Sequence, residues 1–143
     1  MRQLRGVARL EGSDGKRYTL HDLLRHQPGA VIFWTRHCGA AIEALPRIVE
    51  VAGRLKAAGT PVVLVVDESP SSGVDAYLEE HHWTLPIYHD VKGSTTTAFA
   101  NFGTPAYYVL DDAGRIRFNW VNGEAELIAQ VEAVAGDEAA TAR

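Results

Sequence analysis

Val31-Ile32-Phe33-Trp34-Thr35-Arg36-His37-Cys38-Gly39-Ala40-Ala41 is the stretch on which the reading of this chain turns. Its first four residues are β-branched or aromatic, the composition of a buried strand. The run then breaks at Cys38, the only cysteine of the 143 residues, and Ala41-Ile42-Glu43-Ala44-Leu45 reads as helix. A thiol where a strand hands over to a helix sits among unsatisfied backbone N–H groups at the positive end of the macrodipole. Both favour the thiolate, the reactive form of cysteine. Free cysteines are by default small buried hydrophobes; the junction favours the chemical reading.

Downstream of that junction, a helix is expected from about Cys38 to Ala58. Ile42, Leu45, Ile48, Val49, Ala52 and Leu55 recur at three- and four-residue spacing and form its apolar face. Pro46 removes a backbone donor inside it and predicts a kink, and Gly59 ends it. Val62 to Val66 is continuously apolar, as in a parallel strand covered on both faces, with Asp67 and Glu68 at its carboxyl end. A helix over Val74–His82, a short extended piece at Leu85–Tyr88 and a helix over Gly93–Phe102 follow. Ala106 to Leu110 reads as a strand, the Asp111–Gly114 turn brings Arg115–Val121 back beside it, and a last helix runs from Glu124 to about Ala135. The Ala-rich tail 136–143 is expected to fray. Upstream, residues 4–19 read as a hairpin with Val7, Leu10 and Tyr18 in extended runs around Gly12-Ser13-Asp14-Gly15. Thr19 caps a short helix over His21–His26 that Pro28-Gly29 closes. Strands alternating with helices and ending in an antiparallel pair imply an α/β fold. The expectation is one domain over residues 1–143, with a mixed central sheet, helices on both faces and an N-terminal β-hairpin.

Bulk properties narrow the function. With 46% apolar and 22% charged residues the chain is an ordinary globular one, large enough for a sizeable core. A net charge of −4 gives no electrostatic case for nucleic acid or an anionic membrane surface. No apolar run approaches the roughly 18 residues of a membrane span, so no direct membrane insertion is expected. The Met-Arg-Gln-Leu-Arg start has no apolar core behind it and no secretory signal is legible. Met1 is the only methionine, which fits a domain cut from a longer precursor. A single cysteine excludes an internal disulfide.

Three features together resemble the thioredoxin superfamily, and within it the TlpA/ResA-like thiol–disulfide oxidoreductases. Phe33-Trp34-Thr35-Arg36-His37-Cys38-Gly39-Ala40-Ala41 is similar to that family's F-W-x-x-[WH]-C-G-x-C junction. Leu45-Pro46 is similar to its helix proline, and Gly103-Thr104-Pro105 before a strand to its cis-proline loop. The resemblance implies a thioredoxin-like three-layer fold in which Cys38 attacks disulfides. It implies a substrate groove formed by Trp34, His37, Gly39, Ala40, Thr104 and Pro105, with a cis bond before Pro105 and the Trp34 ring lining the groove beside Cys38. His37 is expected to bias the thiolate. No cofactor and no metal is implied. The partners implied are protein or small-molecule disulfides and thiols, met by a monomer. An extracytoplasmic setting, periplasmic or membrane-tethered, is what the resemblance suggests.

Two departures qualify it. Ala41 stands where the resolving cysteine would be, so the thiol that normally releases the substrate is missing, whether by natural degeneracy or by engineering. Ile32 stands where a buried Asp or Asn is common, and Glu43 is given no role. The chain therefore reads as a monothiol or trapped form of the oxidoreductase. Two alternatives stand beside it. Thr35-x-x-Cys38 matches the T-x-x-C element of one-cysteine peroxidases of the peroxiredoxin type, although Val31 replaces that family's proline and no Arg precedes Ala106. A non-catalytic thioredoxin-fold binding module would also fit Ala41 and Ile32. Metal chelation is the weakest option: His21, His26, His81, His82 and His89 read as solvated surface residues, and His81-His82 points two ways. Phe33, Phe99, Phe102, Tyr107 and Phe118 are assigned to packing, and Trp83 and Trp120 to nothing.

Overall fold

The computed structural model describes residues 9–101, 103–118 and 123–141. Val7, Phe102 and Trp120 lie outside them. The chain runs β1 (Arg9–Gly12), β2 (Arg17–Thr19), α1 (Leu20–Leu24), β3 (Gly29–Trp34), α2 (Gly39–Ala57), β4 (Val62–Val66), α3 (Val74–Glu80), β5 (Ile87–His89), α4 (Ser94–Ala98), β6 (Ala106–Leu110), β7 (Ile116–Phe118) and α5 (Glu124–Thr141). One seven-stranded mixed sheet takes the order β2-β1-β5-β4-β3-β6-β7. β3 lies parallel to β4 and antiparallel to β6, which puts it near the middle of the sheet with every residue buried.

Strand alternation divides the core in two. Ala30, Ile32 and Trp34 of β3 pack with Leu64 and Val66 of β4 beneath α2, α3 and α5, through Leu45, Ile48, Leu78, Leu127 and Val131. Val31, Phe33, Val63 and Val65 pack on the opposite face with Leu20 and Leu24 of α1, Phe99 and Tyr108. Phe33, Phe99 and Tyr108 meet there edge to face, with ring centroids 4.8–5.4 Å apart.

Several boundaries differ from expectation. The stripe that α2 buries runs through Ala41, Ala44, Leu45, Ile48, Val51, Ala52 and Leu55. Ile42 is rotated about 100° from Ala41, off that stripe, and is 41% exposed. Alanines at 41 and 44 let the helix approach the sheet closely, and their small size hid the true stripe from hydrophobicity alone. Pro46 lies within α2 without ending it. α5 continues past Ala135 to Thr141 because alanine favours helix and two contacts hold its end: Glu138 accepts from the Asp112 N–H at 2.8 Å, and Arg117 donates to Asp137 at 3.1 Å. α4 stops at Ala98, β7 runs over Ile116–Phe118, and the remainder of its expected span, 119–121, lies outside the described residues. Trp83 joins the core. His89 is buried, against the surface placement expected for it.

Ile32 is fully buried and flanked in register by Leu64 and Tyr107. Ile32→Ala should therefore cost about 2–5 kcal/mol, read as a lower urea midpoint with an unchanged slope.

Candidate active site

Register brings the site together. Trp34 is level with Val66 in the parallel pair, and Phe33 is level with Ala106 in the antiparallel one. Just beyond the ladder the segments that follow β3 and β4 therefore meet pairwise. The Thr35 hydroxyl donates to Asp67 Oδ2 at 3.2 Å and accepts from the His37 N–H at 3.2 Å. Arg36 grips Glu68 with both prongs of its fork, Nε to Oε2 at 2.8 Å and Nη2 to Oε1 at 2.6 Å, and Nη2 also donates to the Ser72 carbonyl at 3.0 Å. This bidentate geometry is the strong form of such a pair. Arg36 holds the Glu68 carboxyl below the usual carboxylate range, against the opposing effect of desolvation.

Cys38 occupies the N-cap of α2 in extended backbone conformation, and its carbonyl accepts the first helical bond, from Ile42 N–H at 3.0 Å. The thiol is pulled below its ordinary value chiefly by the Ala41 N–H, then by the Thr104 side chain and the Ala40 N–H, while desolvation opposes them. Sγ makes no full capping hydrogen bond, so the N–H groups act as nearby dipoles rather than as tight donors. The Thr104 carbonyl, 3.4 Å from Sγ, accepts from the S–H and favours the protonated form. The donors outweigh this single acceptor, and the net direction is downward. No acidic residue stands in the first turn of α2 to oppose the thiolate.

The other expected site residues fall into two groups. Gly39 and Ala40 are exposed beside Cys38, and Thr104 and Pro105 are half-buried across from it; the Thr104–Pro105 bond is cis. Trp34 and Ala41 lie underneath. Trp34 is 1% exposed and its Nε1–H donates to the Ala41 carbonyl at 2.7 Å, while the residue also borders the cleft beside the Thr104 segment. Strand parity turns it into the α2 face of the core. His37 is turned away from the thiol, toward Glu68. It is 65% exposed, with Nε2 turned to Glu68 at 3.4 Å, and the groups that shift Cys38 are those already named.

Sequence reasoning passed over Arg36, Thr35 and Glu68 as a set. The signal was available, since Asp67-Glu68 ends a strand parallel to the one that Thr35-Arg36 ends. Beside the Thr104 segment a cleft of about 270 Å³ is lined by Thr35, Asp67, Thr96, Asn101, Gly103 and Thr104. Asp111, Asp112 and Glu138 form the one acidic group among the described residues with a spacing that could hold a metal ion. Asp111 accepts there from its own turn and Glu138 from Asp112 N–H, so the cluster ties the β6–β7 turn to α5.

A central β3 between a parallel and an antiparallel neighbour, a cysteine at the N-cap position of the following helix and a cis-proline loop against it make this a thioredoxin-fold protein. The sequence profile of the AhpC/TSA family matches residues 7–119, and the chain belongs to that family. It is 29% identical over 103 residues to the thiol-disulfide oxidoreductase YkuV of Bacillus subtilis, covering 69% of this chain and 70% of the relative. Among solved structures, a secreted Mycobacterium tuberculosis disulfide oxidoreductase homologous to E. coli DsbE superposes with a TM-score of 0.72 at 17% identity, over 89% of this chain and 96% of that one. The exposed lipoprotein thioredoxin Etrx1 of Streptococcus pneumoniae gives 0.67 at 20% identity, over 88% and 98%. Among the described residues no helix is long and apolar enough to cross a membrane.

Two outcomes follow from the shifted groups. Alkylation of Cys38 by iodoacetamide should persist to a lower pH in the folded protein than in the urea-unfolded chain, because only the thiolate reacts. Glu68, with its folded value depressed, contributes stability that is full above its unfolded value and is lost as pH falls through the folded one. The urea midpoints of wild type and Arg36→Ala should thus differ at pH 7 and converge in acid below the Glu68 range.

Proposed function

We propose that this chain is a thiol–disulfide oxidoreductase of the thioredoxin family in which Cys38 is the attacking nucleophile. The observation that carries the reading is Cys38 Sγ at the N-cap of α2, its thiolate favoured by the Ala41 N–H, with the Thr104 carbonyl 3.4 Å from it. In the step proposed, the Cys38 thiolate attacks one sulfur of a substrate disulfide. A bond forms between Cys38 Sγ and that sulfur, the substrate S–S bond breaks, and the second sulfur leaves as a thiolate. An external thiolate then attacks the mixed disulfide, takes the substrate sulfur into a new disulfide and regenerates the Cys38 thiolate. The external thiol is required because Ala41, wholly buried on the core face of α2 against Trp34, offers no second sulfur. This gives Cys38 a monothiol cycle.

Ala41 marks the resolving position in this reading. The exposed Gly39 and Ala40, with Thr104 and Pro105 opposite, form the walls between which a substrate thiol or disulfide is received. Protein thiols and disulfides are the substrate class that the relatives' activities support. An extracytoplasmic setting belongs to the same reading, supported by two structural relatives described as secreted and as an exposed lipoprotein.

The Thr35-x-x-Cys38 spacing also suits a one-cysteine peroxidase, but the geometry weighs against it. The Thr35 hydroxyl is engaged by Asp67 and the His37 N–H, and the Arg36 guanidinium is locked to Glu68. Neither is free to orient a peroxide beside Sγ.

Ala41→Cys should convert the chain into a catalyst of disulfide reduction by a dithiol reductant. The second substitution Cys38→Ala in that background should abolish the gain. Protein-disulfide reduction measured for wild type, Ala41→Cys and the double variant decides it; absence of turnover in folded Ala41→Cys refutes the reading.

A further inference from the structure

A wholly buried histidine lies two strands from β3, the strand that leads into Cys38. His89, on β5, has no exposed side-chain surface. Its Nδ1 lies 2.8 Å from the backbone carbonyl of Glu68, and a carbonyl only accepts, so Nδ1 carries a proton and donates it. Its Nε2 lies 3.0 Å from Asp75 Oδ1 on α3, and neither of those atoms has a further partner. The other carboxylate oxygen of Asp75 accepts from the Ser13 hydroxyl of the β1–β2 turn. Glu11 of β1 is level with His89 in the antiparallel pair. The imidazole is thereby clamped between α3 and the segment after β4.

We propose that His89 is a positioning residue for Cys38, acting through its Nδ1–H bond to the Glu68 carbonyl. Glu68 follows directly on β4, so its backbone placement decides where its carboxylate stands. That carboxylate holds both prongs of Arg36 and faces His37. Arg36 and His37 are two of the three residues between β3 and Cys38, and the Thr35 hydroxyl fixes the third by accepting from the His37 N–H. The turn so fixed delivers Sγ to the Ala41 N–H, the largest influence on its thiolate. Release of the Glu68 carbonyl frees this chain of contacts at its root. The inference rests on the reading of Cys38 as the reacting group, and its test does not use disulfide turnover.

The side-chain nitrogen of Asn reaches the place of His Nδ1, and that of Gln the place of Nε2. His89→Asn therefore keeps the donor to Glu68, whereas His89→Gln sets its nitrogen toward Asp75 and loses that donor. The experiment is the pH profile of Cys38 alkylation by iodoacetamide in wild type and both variants, with folding checked by circular dichroism. His89→Asn should stay within about twofold of wild type at pH 7. His89→Gln should fall about fivefold, the size of one net hydrogen bond, with its midpoint moved up toward an ordinary thiol. A His89→Gln profile equal to wild type overturns the proposal, and so does an equal fall in both variants, which marks a merely structural role. Should either variant fail to fold, the ring nitrogen-15 shifts of His89 in the wild-type protein decide: a protonated Nδ1 supports the proposal, and a bare Nδ1 overturns it. Normal His89 results beside an Ala41→Cys form without turnover remove the oxidoreductase reading and leave this one standing.

Discussion

Everything at the Cys38 end of the molecule depends on the register of β3 between β4 and β6. Trp34 against Val66 and Phe33 against Ala106 are ladder positions, fixed by backbone hydrogen bonds and by burial on both faces. A slip of one residue would turn Trp34 and Ile32 into the other core layer and move Thr35 and Arg36 out of step with Asp67 and Glu68. The hydrophobic pattern of β3 leaves no such freedom, because each layer is already filled by helices and aromatic rings. Packing over the whole domain thus determines the placement of a few polar side chains at one edge.

The thiolate at Cys38 is supported by neutral groups. Arg36 and His37 adjoin the cysteine in sequence, but both are turned to Glu68, and the backbone N–H groups of Ala41 and Ala40 with the Thr104 side chain act on Sγ instead. The arrangement separates two tasks that share one turn. Charged side chains fix its shape, and the start of α2 supplies the electrostatic bias. Trp34 links them from below, its indole bonded to the Ala41 carbonyl inside the first turn of the helix.

Much of this was legible in the sequence. Continuous β-branched runs at Val31–Trp34 and Val62–Val66 indicated buried neighbouring strands, and Cys38 at the strand-to-helix junction indicated the thiol's position. Gly103-Thr104-Pro105 indicated the facing loop through family resemblance. The misreadings have physical causes. Hydrophobicity cannot rank Ile42 below Ala41 as a core residue, since only close approach of the helix reveals that alanine is what fits. Adjacency in sequence suggested that His37 acts on Cys38, whereas a carboxylate 31 residues on draws it away. His89 looked like a surface residue because its partners, Asp75 and the Glu68 carbonyl, come from two other elements.

Ile42 stands 41% exposed one turn from the cysteine, on a rim whose guanidinium is already cancelled by Glu68. Such a rim has little long-range field with which to guide a charged molecule inward. A charged molecule would gain little from this rim before contact, and ionic strength would bear little on its approach.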